Sequence, residues 1–298
     1  MELDVVYFTR PLNGLLMIAM PIALGLALTR RFKLGWRLFF IGAATFILSQ
    51  LGHIPFNYGV TLLFQRGVLP VPPPAWSTPF NAVFLGLSAG LWEEGMRYAV
   101  YRWWAKDARS WGKALLFGTG HGGIEAVILG LAVLFTFVQM IALSGVELST
   151  VIPAGQLALA QKQVAEYWSY PWQVTLLGAV ERLFALPLHI ACAVLVLQTF
   201  IRKQSRWVWL AVLWHALADA VLVYASRTLP PGEFKFYLLE IPIGIAALFS
   251  LAIIFALRTP EPVQPAEPEP VSAAALRAIP NLPPKEETLE DLEATRFQ

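Results

Sequence analysis

The chain reads as a series of long apolar runs separated by short polar connections. Seven runs stand out, near residues 12–29, 36–54, 80–103, 113–143, 172–201, 206–226 and 235–257. Each is close to or beyond the roughly 20 residues that a helix needs to cross a bilayer. None alternates apolar and polar positions with a period of two, which excludes an outer-membrane barrel. Pro21, Pro187 and Pro242 fall inside the runs. They are tolerable as kinks, because neighbouring helices can satisfy the freed carbonyls. The pattern predicts an all-α polytopic membrane protein with about seven transmembrane helices. The fourth and fifth runs are long enough to tilt or to project beyond the membrane.

Composition supports that reading. Of 298 residues, 57% are apolar and 14% charged. Ordinary globular chains are about 25% charged. The net charge is +2 with no basic block, so the expected surroundings are a lipid bilayer and no nucleic acid. Cys192 is the single cysteine, which excludes a disulfide framework and a cysteine-based zinc site. The 11 tryptophans suit interface anchoring and packing.

Basic residues are unevenly placed. Arg30, Arg31, Lys33, Arg37, Arg102, Lys106, Arg109, Lys113, Arg202, Lys203 and Arg206 lie on three alternate connections. The opposite connections hold only Arg10, Arg66, Lys162, Arg227 and Lys235. The bias predicts an external N-terminus and a cytoplasmic C-terminus. Residues 1–11 lack the basic region of a cleavable signal peptide, so the first run is expected to be retained.

Four regions follow. Residues 1–79 form a two-helix support with an outer loop at 55–79 that holds Val71, Pro72, Pro73 and Pro74. Residues 80–226 form a four-span core, and 227–258 the seventh span. Residues 259–298 are rich in Pro and Glu and are expected to be a disordered cytosolic tail. In the outer loop at 144–171, residues 156–168 could lie on the membrane surface as an amphipathic helix. No internal repeat is visible, so the inverted-repeat signature of transporters is missing.

Ionisable residues inside spans are costly and point to function. Here they are concentrated in four consecutive runs: Glu93, Glu94 and Arg97; His121 and Glu125; Glu181, Arg182 and His189; His215 and Asp219. The other runs read as plain hydrophobic supports, with His53 and Glu240 near span ends at the interface. Glu93/Arg97, His121/Glu125 and His215/Asp219 are four apart, so each pair shares a helix face. Glu181 and Arg182 are adjacent and should point apart, with an interspan ion pair the expectation for Arg182. At 1.5 Å per residue, Glu93, His121 and His215 lie about 12–13 Å in from the basic connections, and His189 about 20 Å. Four glycines, Gly118, Gly120, Gly122 and Gly123, fit close helix approach.

A carboxylate and imidazoles at one depth support two chemistries. They can bind Zn²⁺ with an open position for water. They can also activate water without metal, with a His/Asp pair steadying an oxyanion. Both hydrolyse an amide.

The segments Glu93-Glu94-Gly95-Met96-Arg97, Phe117-Gly118-Thr119-Gly120-His121 and His215-Ala216-Leu217-Ala218-Asp219 resemble the three motifs of the CPBP superfamily. That superfamily includes the type II CAAX prenyl endopeptidases. Its motifs run Glu-Glu-x-x-x-Arg, Phe-x-x-x-His and His-x-x-x-Asn/Asp on a four-helix catalytic core. Here only two residues separate the Glu pair from Arg97, a spacing more like the PrsW-type and YhfC-type branches. Gly120-His121-Gly122-Gly123-Ile124-Glu125-Ala126, followed by Glu181-Arg182 and His189, looks most like the YhfC family of intramembrane metalloproteases. The resemblance covers about residues 80–225.

It implies an intramembrane peptidase in a prokaryotic plasma membrane, acting on a membrane-embedded peptide or protein near the cytosolic leaflet. Glu93 would activate water, with Glu94, Arg97 and Asp219 as the other catalytic residues. His121, His189, His215 and Glu125 would be the metal-side residues. Zn²⁺ is the expected metal, and the metal-free route stays open. Two rival readings use the same residues: a proton or metal transporter, and a non-enzymatic membrane subunit with a polar scaffold.

Overall fold

The computed structural model describes residues 2–260. Among these there are ten helices and no strand: α1 (Glu2–Phe32), α2 (Arg37–Gln65), α3 (Pro74–Trp103), α4 (Trp111–Ser144), α5 (Leu148–Val151), α6 (Ala154–Ser169), α7 (Trp172–Thr175), α8 (Leu177–Ile201), α9 (Arg206–Thr228) and α10 (Glu233–Ala256). Six of them, α1, α2, α4, α8, α9 and α10, are long and apolar enough to cross a membrane. The 30-residue α3 is as long, and its polarity comes from Glu93, Glu94 and Arg97, all buried against other helices. The protein is an all-α polytopic membrane protein.

Some boundaries differ from the sequence reading. α2 continues to Gln65 and α3 starts at Pro74, so the connector expected at 55–79 shrinks to 66–73. Pro55 sits inside α2 without ending it, as prolines in membrane helices can. Pro74 opens α3 at the first helical position, where its missing N–H is no loss. The fifth run splits into α7 and α8 at Leu176. A helix covers the expected 156–168 as α6, slightly longer, with no buried residue. All but the first two residues of the expected tail lie outside the described residues.

Five helices, α2, α3, α9, α8 and α4, pack in that cyclic order, with α1 behind α4 and α8, and α10 behind α8 and α9. Contact is closest where glycine meets backbone. A Cβ at Gly120 on α4 would lie 1.9 Å from the Phe39 carbonyl oxygen on α2, and one at Gly42 would lie 2.1 Å from that of Phe117. Without water between helices, such close packing replaces the hydrophobic drive of soluble cores. The largest apolar cluster, including Tyr101, Leu116, Phe117, Val194 and Leu197, fills the half of the bundle next to the basic connections.

Candidate functional site

The ring of five helices places polar side chains from each at its centre. α3 supplies Glu93 and, one residue on, Glu94; Arg97 follows one turn later. α4 supplies His121 and Glu125, α8 His189, and α9 His215 and Asp219. α2 adds Gln50. Glu94, Arg97 and His121 are fully buried.

Glu93 is the hub. Its Oε1 accepts from Gln50 Nε2 at 3.1 Å, and its Oε2 accepts from His121 Nε2 at 3.0 Å. The same Oε2 lies 3.8 Å from His215 Nε2 and 3.9 Å from His189 Nδ1. Arg97 pairs mainly with Glu94, three residues before it, and sits 3.9 Å from Glu93.

Carboxylates only accept here, so the hydrogen bonds select the imidazole tautomers. His215 Nδ1 donates to Glu94 Oε1 at 2.7 Å, which leaves its Nε2 lone pair directed to the centre. Asp219 lies 3.6 Å from that Nε2. His189 Nε2 donates to Glu125 Oε2 at 2.8 Å, and its Nδ1 accepts from Arg97 at 2.9 Å. Glu125 also takes Arg182 at 2.6 Å. Each of these two histidines is thus oriented by a carboxylate behind it, the arrangement that fixes metal-ligating imidazoles. His121 Nδ1 and Glu94 Oε2 are buried with no hydrogen-bond partner.

One donor atom each from Glu93, His189 and His215 lies within 4.8 Å of the other two. A second such group is Glu94, Cys192 and His215. The chemistry of the first, two imidazoles and a carboxylate, fits Zn²⁺. His121 contacts Glu93, and Glu125 backs His189, so neither belongs to a converging donor group among the described residues. Glu93, expected as a base, stands inside one.

Other expectations met the structure differently. His189, expected somewhat deeper, meets the rest at the centre, because Gly122 of α4 leaves room for its ring; a Cβ there would lie 2.7 Å from His189 Cδ2. Arg182 makes the interspan ion pair to Glu125 and also reaches Glu181, its neighbour. Adjacent residues point apart at Cβ, but a long guanidinium side chain can curl back. α2 is more than a support: His53 lies mid-helix, not at a span end, because α2 runs on to Gln65. Its Nδ1 donates to Gln50 Oε1 at 3.2 Å, and its Nε2 accepts from Asn57 Nδ2 at 2.9 Å, with Ser88 Oγ at 3.1 Å. A polar chain therefore runs Asn57, His53, Gln50, Glu93. Its signal was the spacing of Gln50, His53 and Asn57 at i, i+3 and i+7, one stripe on an otherwise apolar helix.

Fold and site together define a polytopic membrane protein with a buried carboxylate–imidazole centre suited to a metal. The chain belongs to the YhfC intramembrane metalloprotease family, which its residues 16–232 match. It is 28% identical over 222 residues to the "Uncharacterized membrane protein YhfC" of Bacillus subtilis (strain 168), covering 72% of this chain and 83% of that one. No solved structure matches it.

Proposed function

We propose that this protein is an intramembrane metalloprotease that hydrolyses a peptide bond in a membrane-embedded polypeptide. The observation that carries the reading is the convergence of Glu93, His189 and His215 donor atoms, with a carboxylate behind each imidazole. His189 and His215 are the imidazoles that would hold a zinc ion. Glu93 would act beside them as third donor or, across a water, as its base. Zinc held there supplies Lewis acidity toward the scissile carbonyl and lowers the pKa of water. Occupying His189 Nδ1 displaces its hydrogen bond from Arg97, which keeps Glu94 as a partner.

The protein's own groups do the rest. Glu94 and Glu125 hold the two imidazoles in the required tautomers. Gln50 and His121 fix the Glu93 carboxylate. Asp219, beside His215, is positioned to orient the attacking water or take its proton. The reaction depth follows from helix rise, about 13–15 Å from the basic ends of α3, α4 and α9. With the basic connections in the cytoplasm, the N-terminus is external and the cut lies in the cytosolic half of a prokaryotic plasma membrane.

Metal analysis of purified wild type beside His189→Ala and His215→Ala tests this. Wild type should carry about one zinc per chain and cleave a membrane peptide in liposomes. Both variants should lose metal and cleavage together. Proton or metal flux in wild type with no cleavage would move the assignment to a transporter.

A further inference from the structure

The polar residues of the site are not equally sealed. Ordered along the membrane normal from the basic connections outward, side-chain exposure rises. Arg97, Glu94 and His121 are at 0%, and His215, His189 and Glu93 at 3–7%. Then come the carboxylates Glu125 at 25%, Asp219 at 35% and Glu181 at 38%, with Arg182, held between Glu125 and Glu181, at 8%. The direction is the same on three helices that run in different senses. α4 and α9 leave the basic end and reach Glu125 and Asp219 one turn beyond His121 and His215. α8 runs the opposite way and carries Glu181 two turns before His189.

Packing changes in the same direction. Between the cluster and the basic connections, Tyr101, Leu116, Phe117, Val194, Leu197 and Ala211 close the ring with no more than 5% exposure. On the other side α3 and α9 stay in contact at Gly86, while α8 borders two cavities, of about 460 and 330 Å³. Glu181 and Phe236 line both. Arg182 lines the larger, and two hydrogen bonds lead from it through Glu125 to His189. Thr136 and Ser226 line the larger and smaller cavity respectively. A carboxylate open at this depth cannot face hydrocarbon at reasonable cost and needs water beside it.

We infer that water and the scissile segment of the substrate reach the buried centre from the end of the bundle opposite the basic connections. On that route Glu181 and Arg182 form the polar threshold between the cavities and the site. The enzyme would cut deep in the cytosolic half yet be loaded from the extracytoplasmic end. This suits a substrate that offers an extended peptide segment from that face. The inference rests on the protease reading for what enters, but the route itself does not depend on catalysis.

Cysteine labelling tests it in the full-length protein in membranes. Cys192 is fully buried, so its background is low. Single cysteines are placed at Asp219, Thr136 and Ser226 on the proposed route, and at Ala105 and Ala211 in the sealed half. Lys162→Cys and Lys106→Cys report which face each connection occupies. A membrane-impermeant thiol reagent is added to intact cells and to inverted vesicles. The three route positions should react at least ten times faster from the Lys162 face than from the Lys106 face, and the two sealed positions from neither. Should Asp219→Cys fail to fold, Thr136→Cys and Ser226→Cys carry the test. Faster or equal reaction from the Lys106 face overturns the inference, as does silence of all three from both faces while Lys162→Cys reacts. Absence of cleavage by wild type would remove the protease reading and leave the labelling order to stand or fall by itself.

Discussion

Toward the basic connections, apolar side chains fill the ring and leave no path. Toward α5 and α6, carboxylates become partly exposed and α8 borders two cavities. The sealed half holds its helices in register mainly by close van der Waals packing. On the proposed route, the open half would admit water and chain without letting lipid in. In the proposed reading the chemistry sits at their boundary, with a buried, dry back wall, which keeps electrostatic interactions strong, and a more exposed front. Packing and chemistry are therefore separable by mutation.

The largest effect should come from the imidazoles at the boundary. His215→Ala and His189→Ala are expected to abolish cleavage and lower bound zinc, while thermal unfolding in detergent still shows one cooperative transition. Loss of folding along with activity would mean that the cluster holds the helices together and that the two halves are not separable.

Next is the sealed half. Gly120→Val pushes a side chain into the Phe39 carbonyl, 1.9 Å from its Cβ. It should cost about 3 kcal/mol or more, the upper range for overpacking, read as a lowered unfolding midpoint. A matching insertion at Gly155, with nothing within 4 Å of its Cβ, should change the midpoint by less than about 0.5 kcal/mol. Equal costs at both would erase the contrast between close-packed and open regions.

A smaller effect is expected at the edge of the site. Gln50→Leu removes the donor to Glu93 Oε1 and the acceptor for His53. One hydrogen bond to a charged group is worth about 1.5–3 kcal/mol, so turnover should fall about 10-fold to 100-fold, with zinc retained. Unchanged turnover would confine the site to α3, α4, α8 and α9. The smallest change belongs to the lipid-facing side: Leu213→Ala, on α9 and 58% exposed, should alter neither zinc nor cleavage.

How much of this was readable from the chain can be judged residue by residue. The spans were legible because apolar length is a direct signal of membrane crossing. The four-residue spacings placed His121 with Glu125 and His215 with Asp219 on shared faces, and both pairs do face the centre. What spacing could not give was which helix stands next to which. That is why His189 seemed too deep, and why the donor group of Glu93, His189 and His215 emerged only from the packed ring. The short stripe of Gln50, His53 and Asn57 was outweighed by the apolar run around it, so α2 read as a support although Gln50 stands against Glu93. The extension of α2 past Pro55 was hidden because proline ends helices in water but is tolerated among membrane helices. The difference between the two halves was invisible for a related reason: exposure is set by which side chains of the neighbouring helices stand opposite, a property of the partner helix.

The central claim is that Glu93 is the carboxylate on which hydrolysis depends. Its direct test is cleavage of a membrane peptide library in liposomes by wild type and by Glu93→Gln, with helix content compared by circular dichroism. The amide keeps the volume and the hydrogen bond from Gln50 but loses the basicity and much of the donor strength. The account predicts equal helix content and a rate lower by about 10²-fold to 10⁴-fold. Equal rates for the two proteins would contradict it.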